Sequence, residues 1–254
     1  MPRFVSQMLS LIIRLFARYD RQLRWLLRRL TPGEYLGLHL TVGLLAAAGC
    51  LWFFSDLAED LLSRDSLVVV DQVVAVILRY LATPRLTTFF LVVSAMGSAE
   101  TFALLGLVVT VMYGWQRRWL HVGTWLSALV GGAILNQLLK GVFARPRPFL
   151  PDPLLIEAGY SFPSAHAMLS LIVYGVLAYF AVLGLMNWGA RTTVIFGAAS
   201  LVLLIGFSRM YLGVHYFSDV AAGYAAGGVW LSTLITGMET IRRRPLQRSI
   251  QRHP

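Results

Sequence analysis

The sequence predicts an all-α membrane protein: a six-transmembrane-helix bundle preceded by an N-terminal amphipathic interfacial helix. Three observations carry that prediction. Hydrophobic residues make up 57% of the 254-residue chain and charged residues only 13%, about half the share usual in soluble domains. Six apolar stretches are long enough to cross a ~30 Å hydrocarbon layer, which takes about 20 residues. The arginines behind the net charge of +10 flank those stretches, a pattern of membrane topology and not of nucleic-acid binding. The expected partner is therefore the lipid bilayer, with no nucleic acid.

Residues 1–33 form the first unit. Arg14, Arg18, Arg21, Arg24 and Arg28 recur every three or four positions among Ile12, Leu15, Phe16, Leu23, Trp25, Leu26 and Leu27. That spacing places the cations along one side of a helix lying on an anionic inner leaflet. Arginines interrupt every candidate signal-peptide core, and Arg28-Arg29 in this setting is not read as an export signal.

Residues 34–240 form the membrane domain, with a catalytic core at about 98–238. The first span, Tyr35 to Phe54, contains His39, read as a packed and hydrogen-bonded side chain. Cys50, the one cysteine, excludes an intrachain disulfide and reads as a small hydrophobe. A mostly acidic outer loop follows, with Asp56, Glu59, Asp60, Arg64, Asp65, Asp71, Arg79 and Arg85. Ser66 to Leu81, interrupted by Asp71 and Arg79, is placed at the outer interface. The second span runs from about Ser98 to Trp115, with Ser98 and Glu100 suited to a helix N-terminus. The third is Trp119 to Leu139, ending on Lys140; the fourth Ala167 to Leu185; the fifth about Thr192 to Phe207; the sixth Val220 to Met238. Pro146, Pro148, Pro151, Pro153 and Pro163 mark the segment between the third and fourth as a loop. Residues 241–254, with Arg242, Arg243, Arg244, Arg248 and Arg252, form a basic tail.

Six spans put both termini on one side, and basic residues say which. Seven precede the first span, two sit at Arg117 and Arg118, one is Arg191 and five are in the tail. Those segments are expected to be cytoplasmic. Lys140, Arg145, Arg147 and Arg209 then fall on two extracytoplasmic loops that share one face, where their charges converge.

Three clusters meet there: Lys140 with Arg147 and Pro148; Pro163, Ser164, Ala165 and His166; and Ser208, Arg209, His215 and Asp219. Ionisable groups at a membrane helix end mark a functional site, because their desolvation must be offset by partners or ligand. Arginines and a helix N-terminus suit phosphate, and no acidic cluster accompanies them to hold a divalent metal, so neither metal nor cofactor is expected. His215 and Asp219 are spaced i, i+4 and share a helical face. A carboxylate accepting one ring N–H leaves the other nitrogen as nucleophile. His215 is therefore expected to attack phosphorus, Asp219 to orient it, and His166 to protonate the leaving group and then help water attack the phosphohistidine. Lys140, Arg147, Arg209 and Ser164 hold the phosphate oxygens. The Ala165 N–H points at phosphate, and Ser208 joins the binding set through a supporting hydrogen bond. Arg145 reads as a rim charge, Tyr211 and Tyr216 as interface aromatics, and Gly223 and Gly227 as sites of close helix packing.

These residues resemble the type 2 phosphatidic acid phosphatase family. Its signature, Lys-x₆-Arg-Pro, Pro-Ser-Gly-His and Ser-Arg-x₅-His-x₃-Asp, is matched by Lys140, Arg147 and Pro148, by Pro163, Ser164 and His166, and by Ser208, Arg209, His215 and Asp219. The resemblance spans roughly Ser98 to Met238. It implies a six-helix fold and metal-independent hydrolysis of a phosphomonoester or pyrophosphate. Ala165 stands where the family commonly has glycine; an ordinary backbone φ there would leave the site little changed.

The expected substrate is a lipid phosphate in a bacterial inner membrane. Undecaprenyl pyrophosphate is favoured because the chain resembles compact bacterial members of the family. Phosphatidylglycerophosphate, phosphatidic acid and lipid A meet the same description. A transporter of anionic lipids would show internal repeats with interrupted helices, and none is evident; a non-enzymatic scaffold would need no histidine pair. The sequence does not fix the oligomeric state.

Overall fold

The computed structural model describes residues 37–63, 66–149 and 153–250, so the amphipathic helix expected at 1–33 and the last residues of the tail lie outside it. Among the described residues the fold is all helical: α1 Leu38–Ser63, α2 Ser66–Tyr80, α3 Pro84–Ala95, α4 Ala99–Trp115, α5 Trp119–Leu126, a π turn Ser127–Gly131, α6 Gly132–Phe143, α7 Ala165–Gly184, α8 Trp188–Tyr211 and α9 Phe217–Ile250. Six segments among the described residues are long and apolar enough to cross a membrane: Leu38–Ser63, Pro84–Trp115, Trp119–Phe143, Ala165–Gly184, Trp188–Tyr211 and Phe217–Arg244. The six expected spans are all present.

Their ends differ in physically interpretable ways. α1 carries on through Asp56, Glu59 and Asp60 to Ser63, so those acids lie on the last turns of a helix and not in a loop. Arg85 also leaves the loop, because Pro84 opens α3. Thr83 caps that helix, accepting from the Leu86 N–H at 3.4 Å, and proline's fixed φ suits the first helical position. α3 and α4 are separated only by Met96 to Ser98; Ser98 then caps α4 by accepting from Thr101 N–H at 3.3 Å, with Glu100 in the first turn. α9 does not stop at Met238 but runs to Ile250.

α9 is the central strut, packed along α1 and α7; α7 also packs on α8, α3 on α8, and α4 on α5. Trp125, Ala128, Met168, Ile172, Val173 and Val176 form the dry centre between α5, α7 and α9, while Leu44, Leu45, Leu51, Trp52, Leu104 and Leu107 stay exposed, as lipid-facing side chains do. In the π turn of the third span the Ser127 carbonyl accepts from Trp230 Nε1 at 3.1 Å, a donor from outside the helix where the regular ladder is interrupted. His39 is packed and hydrogen-bonded as expected, with Nε2 3.4 Å from Thr240 Oγ1.

Two glycines set how closely α7 and α9 approach. A Cβ on Gly223 would lie 2.8 Å from the Ser164 carbonyl oxygen, and one on Gly227 would lie 2.9 Å from that of Met168. Backbone meets backbone there, which is the role expected of both residues.

Candidate active site

Residues from five chain segments converge at one end of the bundle. α6 carries Lys140 in its last turn, and the loop after it brings Arg145 and Arg147. α7 starts behind Ser164 and carries His166 in its first turn. α8 ends with Ser208 and Arg209, and the turn to α9 supplies His215, followed by Asp219 in the first turn of α9. The fifth contributor is α2, through Asp71.

His215 is buried, and each ring nitrogen has a neighbour. Nδ1 lies 3.4 Å from Asp219 Oδ2, and Nε2 lies 3.3 Å from Arg147 Nη1. With the proton on Nδ1, the ring donates to Asp219 and turns the Nε2 lone pair toward the cations. Burial pushes the imidazole below its ordinary pKa against the opposing pull of Asp219, and Arg147 and Arg209 add to the depression. The shift favours the neutral ring, the form in which an imidazole nitrogen has a free lone pair.

Asp219 is fully buried and fixed on three sides. Besides His215, it accepts from the Tyr216 N–H at 2.9 Å and from Arg145 Nη1 at 2.6 Å. This corrects the reading of Arg145 as a rim charge: it is 8% exposed. Arg145 Nη1 also donates to Ser218 Oγ at 2.7 Å, and Nη2 donates to Asp71 Oδ2 at 2.8 Å. Asp71, 1% exposed, takes the Ser218 N–H at 2.9 Å on its other oxygen and the Ser218 hydroxyl as well. Burial lowers the affinity of Arg145 for its proton, but the two carboxylates outweigh it and the pKa rises. The result is a closed network, His215–Asp219–Arg145–Asp71, with the Arg145 guanidinium 4.2 Å over the Tyr216 ring. Tyr216 is thus part of the site's wall. Tyr211 is likewise not an interface aromatic: it is buried, and its hydroxyl accepts from the Thr83 N–H at 3.1 Å, tying α8 to α3.

The other cations form a second group. Arg209, 1% exposed, donates to Ser94 and pairs with Glu157, and its Nε has no protein partner. Arg147 pairs with Glu157 at 3.1 Å and is held by the carbonyls of Ala158, Gly159 and Val214. Lys140 donates to the Tyr160 carbonyl at 2.8 Å. Burial pushes the Glu157 carboxyl up, yet Arg209 and Arg147 hold it below the usual carboxylate value, so it is ionised. His166 lies within electrostatic reach of Arg209, Glu157, His215 and Lys140. Ser164 precedes α7 with its N–H on the Asp219 carbonyl at 2.9 Å, and its buried hydroxyl has no protein partner. Two unpaired buried polar atoms, Arg209 Nε and Ser164 Oγ, are what a site built for an oxyanion leaves for its ligand.

Two sequence expectations resolve differently. The Ser208 hydroxyl donates to the Ile205 carbonyl at 2.6 Å within its own helix, so the structure does not join it to the cations. Ala165 is the first residue of α7, and the positive-φ non-glycine residues among those described are Arg117 and Ala144. Ala165 therefore has ordinary backbone, and Ala165→Gly is expected to change phosphatase turnover by no more than about threefold, since no αL strain of ~1–2 kcal/mol is there to be relieved. A much larger gain in kcat would contradict this.

Asp71, Ser94, Glu157 and Ser218 are site residues the sequence reading did not single out. Beside Arg145 and Tyr216, a crevice of about 470 Å³ is walled by Leu61, Leu62, Val68 and Phe143, an apolar approach to the polar cluster.

Known proteins resemble this chain in sequence and in fold. The model of the PAP2 superfamily matches residues 121–243. Phosphatidylglycerophosphatase B of Bacillus subtilis is 37% identical over 147 residues, covering 55% of this chain and 70% of that protein. Undecaprenyl-diphosphatase of Sulfolobus acidocaldarius is 31% identical over 122 residues, 46% of this chain and 54% of the relative. The crystal structure of a transmembrane PAP2-type phosphatidylglycerolphosphate phosphatase from Bacillus subtilis superposes with a TM-score of 0.68 at 28% identity, covering 75% of this chain and 94% of that one. A relative matched over more than two thirds of its length, a family model spanning α5 to α9 and a shared helical architecture together establish that the chain belongs to the PAP2 superfamily and is a membrane phosphatase.

Proposed function

We propose that the protein hydrolyses the terminal phosphate or pyrophosphate of a membrane lipid at the extracytoplasmic face of a bacterial inner membrane, with both termini cytoplasmic, through a phosphohistidine on His215. The observation that supports the reading is the His215–Asp219–Arg145 chain set against Arg147 and Arg209, in which a buried imidazole nitrogen lies beside an arginine. In this scheme Arg147, Arg209, Lys140 and Ser164 grip the oxygens. His215 Nε2 attacks phosphorus, and Asp219 stabilises the imidazolium that forms. His166 protonates the departing oxygen and then helps water attack the phosphorylated ring. No step calls on a metal.

Undecaprenyl pyrophosphate is the first substrate to test, and the likeness to the Bacillus subtilis phosphatidylglycerophosphatase makes phosphatidylglycerophosphate the second. Both, with phosphatidic acid and lipid A, belong in one panel assayed at equal surface concentration with purified protein. Asp219→Asn is expected to bind substrate nearly as the parent does but lose turnover on the order of 10³-fold or more, because an amide neither fixes the tautomer nor offsets the imidazolium. If turnover survived that substitution, the mechanism would be wrong. Phosphate release from none of the four lipids would overturn the substrate class.

A further inference from the structure

Glu157 stands where a phosphate would. One carboxylate oxygen bonds Arg209 and the other lies 3.1 Å from Arg147, so two oxygens of one anion bridge two cations that reach it from α8 and from the loop after α6. That is the geometry of a bidentate oxyanion. The remaining acids of the site are already engaged: Asp71 and Asp219 share Arg145 on the far side of His215. Arg209 is almost wholly buried, and a buried cation left without a counter-charge is strongly unfavourable. Glu157 is placed to prevent this whenever no phosphate is bound. It sits in the non-helical segment between α6 and α7 with its side chain 29% exposed, so it can swing out without disturbing a helix. Its departure would leave the cations aligned, since Arg147 keeps the carbonyls of Ala158, Gly159 and Val214 and Arg209 keeps Ser94.

We propose that Glu157 is an internal counter-anion of the reaction: between turnovers its carboxylate occupies the phosphate position on Arg147 and Arg209, and it returns there as the inorganic phosphate product leaves. The idea rests on the reading of that cation pair as the phosphate clamp. The carboxylate competes at the high effective concentration of a tethered group. It thereby lowers the affinity of the site for every phosphate ligand by the fraction of time it is seated. Product is the ligand for which this matters most, because phosphate held tightly by two arginines would stall the cycle. The lipid substrate retains tail contacts that the product lacks.

The test uses the purified full chain in neutral detergent, with inorganic phosphate titrated calorimetrically into the parent, Glu157→Gln, Glu157→Ala and Arg209→Gln. If the carboxylate is seated about nine-tenths of the time, both Glu157 variants bind phosphate about tenfold more tightly. Unchanged or weaker binding in the Glu157 variants would overturn the proposal, because a side chain that merely aligned the arginines would weaken phosphate when removed. Arg209→Gln is expected to weaken phosphate. If it does not, the clamp itself is misassigned and the proposal falls with it; if it does and the Glu157 variants show no gain, only the counter-anion role fails.

Discussion

His215→Ala is expected to reduce phosphate release by a factor on the order of 10⁴ or more while leaving the fold and phosphate binding in place, as loss of a nucleophile does. His215 is 2% exposed and contributes one imidazole to the interior, whereas Arg147, Arg209 and Lys140 remain to hold the anion. The residual rate should come from binding and charge stabilisation alone. The decisive measurement is phosphate release from a lipid phosphate by both proteins, alongside acid-labile phosphoryl transfer from labelled substrate onto the chain. Equal release from parent and variant, or labelling that persists in His215→Ala, would remove His215 from the nucleophile's role.

Arg145→Leu is expected to cost about 3–5 kcal/mol of stability, the range seen when one partner of a buried ion pair is removed. Two carboxylates, Asp71 at 1% and Asp219 at 0% exposure, would lose their shared cation at once, and Asp219 would lose the restraint that points it at His215. Thermal unfolding in detergent reads the first effect, and turnover at a temperature where the variant is folded reads the second. Adding Asp71→Asn should recover part of the stability, since one stranded charge is then neutral and the two sites are coupled through a single guanidinium. Unfolding unchanged by Arg145→Leu would mean that water already supports both acids.

The sequence made the arginines and histidines of the candidate site legible because each motif is local. His215 and Asp219 are one helical turn apart, Ser164 and His166 sit at a helix start, and Arg209 closes a span; apolar lengths then bring the three to one face. Asp71 was not legible in that way: it lies 147 positions from Ser218, in a stretch whose valines and charges suggest an interfacial segment and not a site partner. The available signal was energetic, since an acid amid such a run requires a buried partner. Arg145 is the reverse case. Its neighbour Arg147 belongs to the motif and Arg145 does not, yet Arg145 is the more deeply paired of the two. Glu157 sits between Leu154-Leu155-Ile156 and Ala158-Gly159 in a loop, where the sequence carries no periodicity from which to place a side chain. α3 was missed for a simpler reason: Arg85 was placed in the outer loop, whereas Pro84 at the first helical position opens a helix there.

The crossing at Gly223 and Gly227 gives the site its mechanical tolerance. Catalytic groups must be held within about 0.5 Å of productive geometry, and side chains achieve this only as well as the backbones beneath them. Here the helix bearing His166 and the helix that begins at the His215 turn touch main chain to main chain. A single methyl group at position 223 would meet the Ser164 oxygen at 2.8 Å, where ordinary contact begins at 3.4 Å. Relieving that overlap would separate the helices by roughly the whole permitted error. The distance between the His215 and His166 imidazoles is thus gauged by two hydrogen atoms, in the way a machinist's shim sets a gap.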